Sequence, residues 1–207
     1  MSNITLKLVD PVSKIEGDIN KAIAETLNKK VKQNSSTASE QVKKLVASAV
    51  ISQPEIESLI SGYLRGAFGI PIGLNPTEGL EESISNSISV SLKKFDNRLN
   101  GGLDIYIQPT SFRNILNLPN ASIVYEKGEI QWMDWLLLRG DAAIIVGYEY
   151  TPKYGVGRSR MGYMEGGTFF RVPPEFSGHA ENNFITRALE EQSFLSSLET
   201  ILKGILA

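Results

Sequence analysis

The hydrophobic period of this chain changes from a helical repeat to a strand repeat part-way along, and that change limits the fold more than any single motif. Ile15, Ile19, Ile23, Leu27 and Val31 recur every four residues, the spacing that lays apolar side chains along one face of a helix. This predicts a helix over 12–33. The polar run Gln33–Thr37 reads as a break, and a second helix follows from about Ser39 or Glu40 to Ser52 on Val42, Leu45, Val46, Ala49 and Val50. A third starts at Pro54, behind Ser52 or Gln53 as cap, because proline suits a first helical turn. Its apolar stripe is Ile56, Leu59, Ile60, Tyr63 and Leu64, and it ends near Gly66–Gly69. Beyond it, Ile88, Val90 and Leu92 alternate with serines, and Leu103, Ile105 and Ile107 alternate with polar residues around Asn100-Gly101-Gly102. A period of two flanking a glycine turn predicts a hairpin over about 85–108.

The second half continues with a short helical turn near Thr110–Leu116 and a short strand at Ser122–Glu126. A helix is expected over Glu129–Arg139, capped by Gly140, then a strand over Ala142–Tyr150. Residues 151–181 carry many glycines and read as a long irregular loop. A terminal helix from Asn182 or Asn183 to the end has Phe184, Ala188, Leu195, Leu198, Leu202 and Ile205 on one face. Helices that do not alternate regularly with strands imply an α+β fold. We expect a small antiparallel or mixed sheet flanked by helices, a helical N-terminal third, a long glycine-rich loop and a long C-terminal helix. The expected division is 1–70 as a helical region and 71–207 as an α+β core with its loop at 151–181. Trp132, Trp135, Leu136, Leu195 and Leu198 are the expected core anchors.

Composition narrows the function classes. The net charge is −2, from 21 basic and 23 acidic residues, which disfavours a general nucleic-acid binder because phosphate contacts need clustered Lys and Arg. There is no cysteine, so disulfides, thiolate metal sites and cysteine nucleophiles are excluded. The N-terminus lacks the basic and apolar regions of a signal peptide, and no apolar run reaches the ~20 residues of a membrane span.

Catalytic patterns are sparse. The single histidine, His179, would have to carry any triad or imidazole metal site alone, and reads as a loop histidine. Gly155, Gly157 and Gly162 do not complete a phosphate loop, since no Gly-Lys-Ser/Thr follows, and Arg160 replaces the third glycine of a dinucleotide fingerprint. Glu129 and Asp134, with Asp141 following, could do paired-carboxylate acid–base work on a sugar; the plainer reading is that Asp134 points outward or pairs with a neighbour such as Arg139, five residues on and awkwardly spaced for an α-helical ion pair. The strongest local signal is basic and aromatic. Lys153, Tyr154, Arg158, Arg160, Met161, Tyr163, Phe169, Phe170 and Arg171 have the mix found both at subunit interfaces and in single-strand binders; a plain solvated loop is an equal alternative, and of the two binding readings a protein interface is favoured. Neither a cofactor nor a metal is expected, and the chain reads as a non-enzyme.

Five ordered segments carry a resemblance. They are Gln53–Leu59 continuing to Phe68-Gly69, Trp132-Met133-Asp134-Trp135-Leu136-Leu137-Leu138-Arg139-Gly140-Asp141, Ser159–Met164, Arg171-Val172-Pro173-Pro174-Glu175-Phe176-Ser177-Gly178, and Asn182–Leu189. In this order, over roughly residues 53–200, the chain resembles virion structural proteins of long-tailed bacteriophages, of the neck or tail-completion family. The resemblance implies a subunit made in the host cytoplasm and built into the virion. There it would form a homo-oligomeric ring at the head–tail junction, contact other neck or tail proteins, and let double-stranded DNA pass without sequence-specific binding. A tail terminator or baseplate component is the alternative within the virion. A small hydrolase using Glu129 or Asp134, or a DNA-binding accessory protein using Arg158, Arg160 and Arg171, are the alternatives outside it. The first 50 residues carry no part of the resemblance.

Overall fold

The computed structural model describes residues 9–107, 112–125 and 128–206, without the side chains of Leu92, Leu103 and Ile107. The fold is α+β, with small two-stranded antiparallel sheets between a long N-terminal helix and a helical C-terminus. The first helix, α1, runs unbroken over Val12–Ile51. The break expected at Gln33–Thr37 is absent. That run holds no proline or glycine, and its residues cost only tenths of a kcal/mol each in a helix. Tertiary contacts outweigh that cost: Ala38 is buried, and the Asn34 amide donates to the Ile205 carbonyl at 3.0 Å.

Pro54–Ser61 forms α2, and Tyr63–Ala67 forms α3. Gln53 occupies the N-cap position of α2 without a side-chain cap; its amide instead donates to the Ala49 carbonyl and to Glu191 Oε1. Leu80–Asn86 is α4. The expected hairpin is present as β1 (Ile88–Lys93) and β2 (Gly102–Ile107), in register from Ile88 opposite Ile107 to Lys93 opposite Gly102. Its turn is organised by Asp96, whose carboxylate accepts from the backbone N–H groups of Arg98 and Asn100. Those bonds hold the Asp96 carboxyl below the usual carboxylate range. Asn28 of α1 clamps the neighbouring residue, accepting from the Phe95 N–H at 2.8 Å and donating to its carbonyl at 3.0 Å.

Arg113–Leu116 is a single turn, α5; Thr110 and Ser111 of the expected turn lie outside the described residues. Ile123–Tyr125 (β3) pairs with Gly128–Ile130 (β4), so the expected strand is present, with Glu126 outside the described residues. The helix expected over Glu129–Arg139 starts later. Glu129 and Ile130 belong to β4, Trp132–Asp134 is one α-turn (α6), and Trp135–Arg139 is a π-turn ending at Gly140, φ 62°. The strand expected at Ala142–Tyr150 is β5, Ile145–Pro152.

The clearest correction concerns 151–181. Gly162–Phe170 is a strand, β6, paired along β5 to form a long hairpin. Its sequence, GYMEGGTFF, hides the strand because glycines interrupt the alternation and most of its residues are exposed on both faces. The C-terminal helix is also two helices, α7 (Phe184–Glu190) and α8 (Gln192–Leu206), broken where Glu191 turns extended at φ −63° and ψ 136°. The break rotates the apolar stripe: Phe194 is buried, whereas Leu195, an expected core anchor, is 44% exposed, and Leu198 is half-buried. Of the other expected anchors, Trp132 and Leu136 are fully buried and Trp135 is half-buried.

One buried cluster continues across residue 70. It joins Val42–Val50 of α1, Ile56, Leu59, Leu64 and Phe68 to Leu80, Trp132, Leu136, Phe170 and Phe184. Further back along α1, a smaller cluster of Val31, Ala38 and Ile205 seats the end of α8. Before Ala24, no residue of α1 is buried. Gly17 lies in this exposed stretch with nothing within 4 Å of an added Cβ. Gly17→Ala should therefore stabilise the local helix by about 0.5–1 kcal/mol. Slowed amide exchange over residues 14–22, by roughly 2–5-fold, is the expected reading; unchanged exchange would mean that this stretch is not helical in solution.

Candidate functional site

The five sequence segments that carry the resemblance pack against one another. The first meets the fifth through Glu55 and Arg187, which form an ion pair with the Glu55 side chain only 2% exposed. The second meets the fourth where Gly178 lies against the π-turn: the Gly140 N–H donates to the Gly178 carbonyl at 2.8 Å. The third meets the first at Tyr150. The Tyr150 hydroxyl donates to the Met161 carbonyl at 2.8 Å, and a Cβ on Gly66 would fall 1.9 Å from that hydroxyl oxygen. Tyr63 packs edge-on against Tyr150, with ring centroids 5.2 Å apart. Burial raises the pKa of both phenols, with Glu175 adding to the shift at Tyr63 and Tyr63 adding at Tyr150.

The basic–aromatic residues read as one cluster are divided by the hairpin. Lys153, Tyr154, Arg158, Arg160 and Met161 belong to its tip, whereas Phe169, Phe170 and Arg171 lie at its base, about 30 Å away along nine residues of β6. At the tip, Tyr154 is 97% exposed and Lys153 and Arg160 are exposed. Arg160 has φ 56°, an uncommon conformation for a side-chain-bearing residue. Arg158 is engaged within the chain, donating to the carbonyls of Gly69 and Val124 at 3.1 Å each. It therefore fastens the tip to the body. Met161 is half-buried, and Tyr163 is exposed at the start of β6.

At the base the two faces differ. Ile145 and Phe170 are opposite each other and point inward, with Phe170 3% exposed; Phe170 is a core residue and leaves the candidate interface. Val146 and Phe169 are opposite each other and point outward, 78% and 43% exposed. Arg171 lies 5.3 Å over the Phe169 ring and pairs with Asp141 at 3.3 Å. The resulting outer surface is aliphatic and aromatic, rimmed by an ion pair, the composition of a protein contact. Between base and tip, Glu149 accepts from both the N–H and the hydroxyl of Thr168, which lowers its pKa.

Glu129 and Asp134 do line one depression of about 240 Å³, with Tyr125, Trp135 and Arg139. The Asp134 carboxylate is held by the Arg139 guanidinium, which also lies 5.2 Å over the Trp135 ring. Sequence spacing had made that pair awkward. The π-turn removes the difficulty, because its i→i+5 bonding places residues five apart on one face. Glu129 accepts from the Ser122 hydroxyl. Both carboxylates thus have structural partners. His179 is exposed and makes a backbone bridge with Asn182. No cluster of three His, Cys, Asp or Glu suited to a metal occurs among the described residues, and no helix among them is long and apolar enough to cross a membrane. Compared with family models, curated proteins and solved structures, the chain matches none.

Proposed function

We propose that this protein is a structural subunit of a bacteriophage virion, forming a ring at the head–tail junction that joins head to tail and lets DNA pass. The observation that carries this reading is the β5–β6 hairpin, which presents Val146, Tyr148 and Phe169 outward on a strand pair that no third strand joins among the described residues. An apolar surface on a two-stranded hairpin is a liability in a lone molecule and suits a contact with a neighbour. The mutual packing of the five segments adds support, since they form the framework on which the hairpin is mounted. A net charge of −2 suits a channel through which phosphates slide, as few cations are available to hold them.

The test is immunogold electron microscopy of purified particles with an antibody to this protein. Gold at the head–tail junction is expected. Gold at the distal tail would move the subunit to the baseplate, and antigen in neither intact nor disrupted particles would end the structural reading. Deleting residues 153–178 is unsuitable as a test, because it would remove β6 and the core residues Phe170 and Val172.

A further inference from the structure

The apolar stripe of α1 outruns the helix that covers it. Val31 is 5% exposed in its cluster with Ile205, and Leu27 is half-buried. Towards the N-terminus the same stripe opens to solvent: Ile23 is 41% exposed, Ile19 is 54% exposed, and Val12 on the same face is 61% exposed. A depression of about 370 Å³ lies where the cover stops, between Ile19, Ala22, Ile23, Thr26 and Leu27 of α1 and Leu206 at the end of α8. Its polar groups are turned to the backbone. The Thr26 hydroxyl donates to the Ala22 carbonyl at 2.9 Å, and the Lys30 ammonium donates to the Leu206 carbonyl at 3.2 Å. The surface offered is therefore apolar. Single exposed apolar side chains are ordinary, but these share one face over about four turns of helix.

We propose that this face packs on the same face of a second copy of this chain, α1 against α1 and antiparallel, with Ile23 at the two-fold axis. Ile23 is midway between Ile19 and Leu27, so an antiparallel pair centred there sets Ile23 beside its own copy and Ile19 beside the other chain's Leu27. Charge selects both the occupant and its direction. Residues 10–18 carry Asp10, Glu16 and Asp18 against Lys14, a net −2, whereas residues 29–32 carry Lys29, Lys30 and Lys32 and no acid, a net +3. Lys14 pairs with Asp10 at 2.9 Å, so the acidic surplus resides on Glu16 and Asp18. Residues 14–18 stand as far before Ile23 as residues 28–32 stand after it.

An antiparallel pair thus lays the acidic start of each helix on the basic stretch of the other, twice by symmetry. A parallel pair would set acid on acid and base on base, which opposes association. The first residue of α1 that its own chain buries is Ala24, so residues 12–23 are available to lie along the partner. A lipid surface is the other common occupant of such a face, and it requires a polar side dominated by cations. Glu16 and Asp18 deny that. The pairing goes beyond the ring reading and does not depend on it. A two-fold contact uses one patch twice and stops at a dimer, whereas a ring needs two different patches that meet head to tail.

The chain has no cysteine, so disulfide mapping of the full-length protein is clean. Ile23→Cys should oxidise to a covalent dimer, whereas Lys21→Cys, on the opposite side of the helix, should not. Mixed under different tags, Ile19→Cys and Leu27→Cys should cross-link to each other in preference to Ile19→Cys with itself. Sedimentation velocity should show a concentration-dependent dimer that Ile19→Asp removes. Glu16→Lys/Asp18→Lys and Lys29→Glu/Lys32→Glu should each raise the dimer dissociation constant by roughly tenfold, and the chain carrying all four changes should regain the affinity. A monomer at every concentration would overturn the pairing. So would a dimer that Ile19→Asp leaves intact, which places the contact elsewhere, or an Ile19→Cys self-link stronger than the link to Leu27→Cys, which makes the pair parallel. Ring assembly and position on the particle are read separately by microscopy, and none of these outcomes moves them.

Discussion

Replacing Arg187 with methionine is expected to cost roughly 3–5 kcal/mol of folding stability, the penalty for leaving a buried charge without its partner. Glu55 is 2% exposed, and its Oε2 has no hydrogen-bond partner among the described residues. Its other oxygen accepts from the Arg187 guanidinium, which also donates to Asn182 Oδ1 at 2.8 Å. The Arg187 side chain is 32% exposed, so water relieves part of the penalty and the lower end of that range is expected. The double variant Glu55→Met/Arg187→Met should recover most of the loss, because it removes both charges from the site and fills the space with apolar atoms. Urea titrations of the two single variants and the double variant measure the coupling directly. A loss below about 1 kcal/mol in Arg187→Met, where a buried pair predicts about 3–5 kcal/mol, would mean that the Glu55 pair does not hold α2 to α7.

That pair also shows where sequence reasoning stopped. Glu55 lies in the first turn of α2, where an acid is ordinarily a solvated partner of the helix dipole. Nothing local says that it points inward. The apolar stripe assigned to this helix included Ile60, which lies inside α2 but is 47% exposed, because the core side of the helix is taken by Ile56 and Leu59. What the sequence did show was anything carried by a regular period or a conformational requirement: the β1–β2 hairpin, Pro54 opening α2, and Gly140 closing the turn after Arg139. What stayed hidden depended on partners distant in the chain. Gln33–Thr37 remains helical because Ile205 lies against it, some 170 residues away. β6 exists because β5 supplies its hydrogen bonds, while its glycines mask the alternation. Phe169 and Phe170 are adjacent and similar, yet one faces outward and the other is core, a division fixed by the register with Val146 and Ile145. The five segments were legible as a set, whereas their contacts with one another were not, since each junction joins positions far apart in the chain.

The tightest of those junctions yields the last prediction. Gly178 is buried between the π-turn and the start of α7. Its carbonyl accepts from Gly140, and its own N–H faces the Trp135 carbonyl at 3.4 Å. A Cβ there would lie 1.8 Å from the Leu136 carbonyl oxygen, 2.6 Å from its carbon and 2.9 Å from Asn183 Cβ. None of these is the free end of a flexible side chain. Two are backbone atoms of a turn packed on Trp132. The third belongs to the residue that caps α7, whose side chain accepts from the N–H groups of Ile185 and Thr186. Relief of the clash therefore requires moving the π-turn or the cap, and Gly178→Ala is expected to lose about 3 kcal/mol or more. For a chain of this size that corresponds to a Tm lower by roughly 6–12 °C. Gly166→Ala is the matched control: it sits in β6 with nothing within 4 Å of an added Cβ, so the same substitution should change Tm by less than about 2 °C, as is usual for a surface change. If both variants melt with the parent protein, the loop over 171–178 is not threaded between the π-turn and α7. The hairpin that the loop anchors at Arg171 would then lack the fixed base that its outward surface requires.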